Sequence, residues 1–131
     1  MCFARPAFVF FLVLGTIVPV QAATFSTPLL EVPAGYTLLC YVTNVDKKSI
    51  KVTTTLQSNS GAVLSASDNC ASISNGVLET GKTCSIAIGG PANARCTAVT
   101  SSSKVRAHMV VRGANFEPIV TVPATTKWPP L

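Results

Sequence analysis

The sequence predicts an all-β protein, an antiparallel β-sandwich of seven to eight short strands. Short runs of alternating apolar and polar residues recur along the chain, with turn residues at intervals of roughly 8–12 residues. No segment has the apolar period of a helix. Four cysteines follow residue 22, and an even number is typical of a small disulfide-linked domain.

The first 22 residues have the pattern of a signal peptide. Arg5 precedes the apolar run Ala7–Val20, and Val20-Gln21-Ala22 places small side chains where cleavage after Ala22 requires them, with Ala23 as the rival site. The run is shorter than the roughly 20 residues that span a bilayer, which disfavours a membrane anchor. We therefore expect an exported protein, periplasmic or extracellular, with no membrane span once the signal is removed.

The rest of the chain predicts one domain, residues 23–122, and a proline-rich tail, 123–131, that is extended or disordered and leaves Trp128 exposed. Ten basic residues stand against five acidic ones in the whole chain. Removal of Arg5 with the signal lowers the formal net charge from +5 to +4.

The stretch Tyr36–Val45 predicts the central strand, because apolar residues occupy both of its faces. Cys40 shares a face with Leu38 and Val42. The stretch Ser49–Gln57 alternates strictly and predicts a strand with one buried face. The other predicted strands are a weak edge in Ala23–Pro33, then Ala62–Ser67, Val77-Leu78, Cys84–Ile88, Arg95–Thr100, Lys104–Arg112 and Phe116–Val122.

Two of the connections predict hairpins. Ser58–Gly61 should turn the chain back into Ala62–Ser67, and Ser101–Ser103 should make Arg95–Thr100 and Lys104–Arg112 neighbours in one sheet.

The cysteines allow three disulfide pairings, and a zinc site is the competing interpretation, which the absence of a Cys-x-x-Cys pair disfavours. The spacing of Cys40 and Cys96, each in mid-strand with apolar neighbours, resembles the inter-sheet disulfide of immunoglobulin-like domains, although the only tryptophan lies in the tail. We predict Cys40–Cys96 across the sandwich, which leaves Cys70–Cys84 as the second bridge.

The pattern CYVTNV, a later GKTC and a terminal VRG resemble small uncharacterised exported bacterial proteins over residues 36–113. This resemblance implies no activity.

Catalytic and metal chemistry find little support. His108 is the sole histidine, there is no Gly-x-Ser-x-Gly motif, and the acidic residues are isolated from one another. Asp46 and Asp68 are expected in turns. We identify no catalytic residue, metal site or cofactor.

The one concentration of charge predicts a cationic stripe. Lys104, Arg106, His108 and Arg112 fall on the face of their strand opposite Val105, Ala107, Met109 and Val111, and Arg95 should extend the stripe on a paired strand. These five residues, Arg95, Lys104, Arg106, His108 and Arg112, form the candidate anion-binding set.

Three functions remain open at this point: a non-catalytic exported module for interaction or envelope structure, which we favour; a binder of anionic surfaces through the basic strand face; and a hydrolase centred on His108. The partner is unknown. It could be another envelope protein or an anionic polymer, and no specific nucleic acid is expected.

Overall fold

The computed structural model describes residues 22–127, so Trp128 and all of the predicted signal peptide except Ala22 lie outside the described residues. Within this part of the chain no helix is long and apolar enough to cross a membrane. The elements in chain order are β1 Ala23–Ser26, β2 Leu30–Val32, β3 Thr37–Asn44, β4 Ile50–Gln57, β5 Ser67–Asp68, α1 Asn69–Ser72, β6 Val77–Leu78, β7 Thr83–Gly89, β8 Ala92–Thr100, β9 Val105–Arg112, β10 Pro118–Pro123 and β11 Thr125–Lys127.

The strands form two antiparallel sheets arranged as a sandwich, which confirms the predicted fold class. Sheet I has the order β11-β1-β8-β4-β6, with β2 also paired to β8, and sheet II has the order β10-β9-β3-β7-β5. The predicted central strand, β3, lies between β9 and β7. The described residues hold more strands than the seven to eight expected because the predicted first strand is divided into β1 and β2, and because β11 forms within the predicted tail.

The expected pairing of β8 with β9 is wrong, because β8 pairs with β4 in sheet I and β9 pairs with β3 in sheet II. The connection Ser101–Lys104 crosses between the sheets and is hydrogen-bonded to both. The Ser101 N–H donates to the Lys51 carbonyl at 3.0 Å, and the Lys104 carbonyl accepts from the Val45 N–H at 3.1 Å. A hairpin and a crossover leave the same alternation in the sequence, so the pattern could not distinguish them.

The predicted strand Ala62–Ser67 is reduced to one bridge between Gln57 and Val63, followed by the two-residue β5. The turn itself forms, since the Ser58 N–H donates to the Ala62 carbonyl at 2.9 Å. The chain then passes through α1, where the Asp68 carboxylate caps the helix by accepting from the Ala71 N–H at 3.0 Å.

The strand pairing agrees only in part with that of immunoglobulin domains. The neighbours β3-β7-β5 and β8-β4 correspond to strands B-E-D and F-C of those domains. The outer strands are exchanged, because β1 lies beside β8, the strand of Cys96, and β9 lies beside β3, the strand of Cys40.

Both predicted disulfides are confirmed. Cys40–Cys96 joins β3 to β8 across the sandwich with a Cα–Cα distance of 6.2 Å, and Cys70–Cys84 joins α1 to β7 at 4.9 Å. Each bridge lies in one half of the core. One half contains Phe25, Val42, Ile50, Val52, Cys70, Leu78, Cys84, Ala98 and Val105, and the other contains Val32, Leu38, Cys40, Leu56, Ile86, Ala94, Cys96, Met109 and Val111.

The backbone continues to pair after residue 122, where the predicted domain ends. β10 extends to Pro123, and β11 then pairs with β1 in sheet I, with Thr125 opposite Ser26 and Lys127 opposite Thr24. The first and last described strands therefore run side by side.

Candidate anion-binding surface

The predicted cationic stripe is divided by the structure. Arg106, His108 and Arg112 are on the outer face of β9, and they pair across the sheet with Thr43, Tyr41 and Thr37 of β3. Arg95 is not part of this surface, because its strand, β8, belongs to sheet I. Lys104 lies in the connection before β9, at one end of the sandwich.

The middle of the β9 face is an aromatic and cationic cluster. The rings of Tyr41 and His108 are stacked with centroids 5.2 Å apart and an interplanar angle of 27°. The Arg112 guanidinium lies 5.8 Å from the centre of the Tyr41 ring, within the range of a cation–π contact. The outward-facing Val110 lies between His108 and Arg112 in β9 and is only 5% exposed, which is consistent with cover by these larger neighbours.

The hydrolase alternative centred on His108 gains no supporting observation from this cluster, in which His108 stacks on the ring of Tyr41. Among residues 22–127, no three His, Cys, Asp or Glu side chains lie close enough together to hold a metal ion. The contacts in this cluster are packing contacts of the Tyr41 ring with the His108 ring and with the Arg112 guanidinium.

A denser group of cations lies at one end of the sandwich, which we call the lysine end. It is defined by Lys47, Lys48, Lys51, Lys82 and Lys104, all of which are exposed. Lys47 and Lys48 lie between β3 and β4, Lys82 lies before β7, Lys104 lies before β9, and Lys51 is the second residue of β4. Five lysines that are scattered along the sequence are thereby brought to three adjacent turns and one strand end.

The buried side chain of Asn44 holds two of these connections together. Asn44 is fully buried, and its Nδ2 group donates to the carbonyls of Lys48 and Leu78, each at 2.9 Å. Its Oδ1 atom accepts from the Asp46 N–H at 2.8 Å. The Asn44 N–H also donates to the Lys82 carbonyl at 3.0 Å. The Asn44 side chain thus satisfies three backbone groups and fixes the turn that carries Lys47 and Lys48, while its backbone N–H holds the turn that carries Lys82.

Asp46 and Ser102 join the third connection to the first. The Ser102 hydroxyl donates to Asp46 Oδ2 at 2.6 Å, and this bond is the main cause that lowers the pKa of Asp46 below its ordinary value of 3.8. Burial of the carboxyl opposes the shift. The Lys47 N–H, which donates to Oδ1 at 2.7 Å, and the charges of Lys104 and Lys48 lower the pKa further.

The opposite end of the sandwich carries no cation in its turns. We call it the glycine end, defined by the turns that contain Gly35, Gly61, Gly90 and Gly113 and by Gly89, the last residue of β7. The turns Pro33–Tyr36, Ser58–Ala62, Gly90–Pro91 and Gly113–Glu117 contain one charged residue, Glu117. The lysine end has five lysines and the carboxylates of Asp46 and Glu79. The protein therefore has one positive end, whereas at the opposite end the charge of Glu117 is offset by Arg112, the last residue of β9, which lies opposite Thr37.

Analysis of the sequence identified Lys104 and Arg106 but did not identify the lysine end. Positions 47 to 104 form no charge run, and only the Lys47-Lys48 pair stands out. A usable signal existed in the fact that Lys47 and Lys48 follow the predicted central strand, Lys82 precedes the predicted strand Cys84–Ile88, and Lys104 begins a predicted strand. Grouping these strand ends requires the strand connections.

Comparison with known protein families, with curated proteins and with solved structures finds no match for this chain.

Proposed function

We propose that this protein is a non-catalytic exported domain that binds anionic polymers through the lysine end. The observation that carries the proposal is the convergence of five exposed lysines on turns that a buried polar network holds in place. Clustered like charges raise the local positive potential, which attracts polyanions over a Debye length of about 8–10 Å at physiological salt.

The network supports binding because it fixes the backbone of the lysine-bearing turns before any ligand arrives. Ordering a loop on binding reduces affinity, and a preformed surface avoids that loss. The lysine side chains themselves stay free to adapt to a flexible polymer, which suits recognition of repeated charges more than recognition of one small molecule.

An exported location agrees with the covalent structure. The two disulfides indicate an oxidising, non-cytoplasmic environment. Cleavage after Ala22, as the signal pattern predicts, would also leave a new α-ammonium group at the lysine end, because Ala23 pairs with Thr100, the last residue of β8. Export to the periplasm or the exterior would bring the domain to the anionic polymers of a cell envelope.

The test is retention of the mature, oxidised chain on immobilised heparin, used as a defined polyanion. We expect retention at low ionic strength and elution as salt is raised. Lys48→Gln combined with Lys82→Gln should elute at clearly lower salt. The slope of log affinity against log salt should fall by roughly one unit for each lost contact, by analogy with phosphate contacts.

The matched control is Arg95→Gln combined with Arg112→Gln, which removes the same two charges away from the lysine end. This variant should keep most of the wild-type retention. Absence of retention by the wild-type chain would refute the proposed function. Equal losses in the two double variants, with both shown to be folded by circular dichroism, would mean that net charge and not the lysine end binds the polymer.

A further inference from the structure

A cleft of about 350 Å³ opens beside the lysine end. It lies between β6, the edge strand of sheet I, and the start of β7 in sheet II, and Lys82 and Ser49 belong to its lining. Asn44 holds a second cation nearby, because its Nδ2 group donates to the carbonyls of both Lys48 and Leu78, and Leu78 also lines the cleft. The cleft is therefore continuous with the lysine end.

The cleft has an apolar floor and a polar rim. The floor is formed by the half-buried Ile73 and Val77 and by the buried Leu78. The exposed rim carries three hydroxyl groups and two opposite charges, from Ser49, Ser74, Thr83, Glu79 and Lys82. Small-ligand sites combine apolar walls with a few polar groups in the same way, and their usual volume is roughly 300–1,000 Å³. At the lower end of that range, this cleft has room for one small cyclic unit.

One wall of the cleft, the turn at residues 73–77, is fixed by backbone hydrogen bonds. The Gly76 N–H donates to the Ile73 carbonyl at 2.7 Å, and the Gly76 carbonyl accepts from the Val52 N–H at 2.8 Å. Ser74 adopts a φ of +37°, a conformation that residues other than glycine rarely adopt. Strained backbone of this kind is concentrated at ligand sites, and a wall that is formed in advance avoids the loss of affinity from ordering a loop.

The two charges of the rim indicate which anionic polymer fits. Glu79 and Lys82 belong to one turn, in which the Lys82 N–H donates to the Glu79 carbonyl at 3.1 Å. The Lys82 ammonium group only donates hydrogen bonds and attracts an acidic group, whereas the Glu79 carboxylate only accepts and repels one. A ligand that satisfies both must carry hydroxyl donors as well as acidic groups. Sugars carry such hydroxyls, and the C–H groups of their rings can pack on an apolar floor. Polyphosphate has neither feature.

We infer that the anionic polymer is an acidic polysaccharide and that one of its sugar units occupies this cleft. A hydroxyl of that unit donates to the Glu79 carboxylate, and its acidic group accepts from the Lys82 ammonium. The acidic groups of the adjoining units lie over the other lysines of the lysine end. This inference rests on the proposed function of the lysine end and adds the class of polymer.

The test compares polygalacturonate with poly-L-glutamate, because each carries one carboxylate per repeat unit and only the first has sugar hydroxyls. We expect the mature, oxidised chain to bind polygalacturonate about tenfold more tightly at the same low ionic strength, as one or two net hydrogen bonds would produce. Isothermal titration calorimetry measures both affinities. Glu79→Ala removes the acceptor and the repulsion, and Ser49→Leu fills the cleft with an apolar group. Each variant should lose most of the preference for polygalacturonate.

The matched controls are Glu31→Ala and Ser103→Leu, which make the same changes at exposed positions outside the cleft and should keep the preference. Continued binding of poly-L-glutamate shows that the cleft variants are folded. The inference is overturned if the wild type binds the two polymers equally, if it binds inorganic polyphosphate as tightly as polygalacturonate, or if both cleft variants keep the preference. In each of these cases the proposed function still stands. Binding of neither polymer would refute the proposed function itself.

Discussion

The turns of the lysine end are joined by side-chain hydrogen bonds in addition to backbone ones, whereas the contacts described at the glycine end are made by backbone. At the lysine end, Asn44, Asp46 and Ser102 form the hydrogen bonds that connect the turns. At the glycine end, Gly35 and Gly61 adopt φ values of +80° and +83°, in the region that favours glycine. The Gly90 N–H donates to the Tyr36 carbonyl at 2.8 Å, and Gly90 lies close against the end of β2.

This difference separates two roles within one small sandwich. Glycine turns close the strands with little side-chain chemistry, so the glycine end offers few groups to a ligand. At the lysine end the short polar side chains of Asn44, Asp46 and Ser102 form the hydrogen bonds that connect the turns, and the lysine side chains extend from those turns. If this division is correct, substitutions at the two ends should destabilise the fold through different mechanisms.

The largest effect is expected from Asn44→Ala. This change removes three hydrogen bonds and leaves the buried Leu78 carbonyl and the buried Asp46 N–H without their partner, together with the part-buried Lys48 carbonyl. Each unsatisfied buried group is unfavourable, so we expect a loss of about 3 kcal/mol in the free energy of unfolding. Denaturation in urea measures it. The control Asn93→Ala changes an exposed asparagine of β8 and should shift stability by less than about 0.5 kcal/mol. Equal effects of the two substitutions would show that the Asn44 network is not needed for stability.

A smaller loss is expected from Gly90→Ala. A Cβ atom at Gly90 would lie 2.0 Å from the Pro33 carbonyl oxygen and 2.6 Å from that of Val32, so the backbone there would have to move. We expect a loss of about 2 kcal/mol in the free energy of unfolding, as for other overpacked sites. Gly89→Ala is the neighbouring control, because a Cβ atom there meets nothing within 4 Å. If both variants unfold at the same urea concentration, the close approach at Gly90 does not constrain the glycine end.

The sequence predicted those parts of the fold that follow from the alternation of apolar and polar side chains along a strand. Apolar residues on both faces of Tyr36–Val45 predicted the central strand, and the inward positions of Leu38 and Val42 beside Cys40 supported one disulfide, from which the second followed. The stripe on β9 was predicted for the same reason. Alternation does not encode which sheet a strand joins. Because the connection Ser101–Lys104 crosses between the sheets, the strand of Arg95 pairs with β4 and not with β9 as expected.

The lysine end depends on that same choice of sheet. Its lysines meet only because three connections pass over one end, and the residues that hold them, Asn44 and Ser102, look in the sequence like ordinary turn residues. Asp46 was expected in a turn, but its hydrogen bond to Ser102 joins residues 56 positions apart. Contacts of this kind become visible only in three dimensions.

The smallest effect is expected from Ser102→Ala, and it depends on pH. The substitution removes the main cause of the lowered pKa of Asp46, so the carboxyl should titrate at higher pH than in the wild type, as followed by NMR of the side-chain carboxyl. Because the folded pKa is below the unfolded one, the ionised carboxylate stabilises the wild type above the ordinary value of 3.8, and this stabilisation is lost as the pH falls through the folded pKa. The wild type should therefore be more stable than the variant at neutral pH, and the difference in the free energy of unfolding should narrow below pH 3.8.

Ser103→Ala, which changes the exposed neighbouring serine, should leave the titration of Asp46 and this pH dependence unchanged. A stability gap that stays constant from neutral to acidic pH would mean that Ser102 supports the lysine end through its hydroxyl contact with the Lys104 N–H, at 3.1 Å, and not through the charge of Asp46.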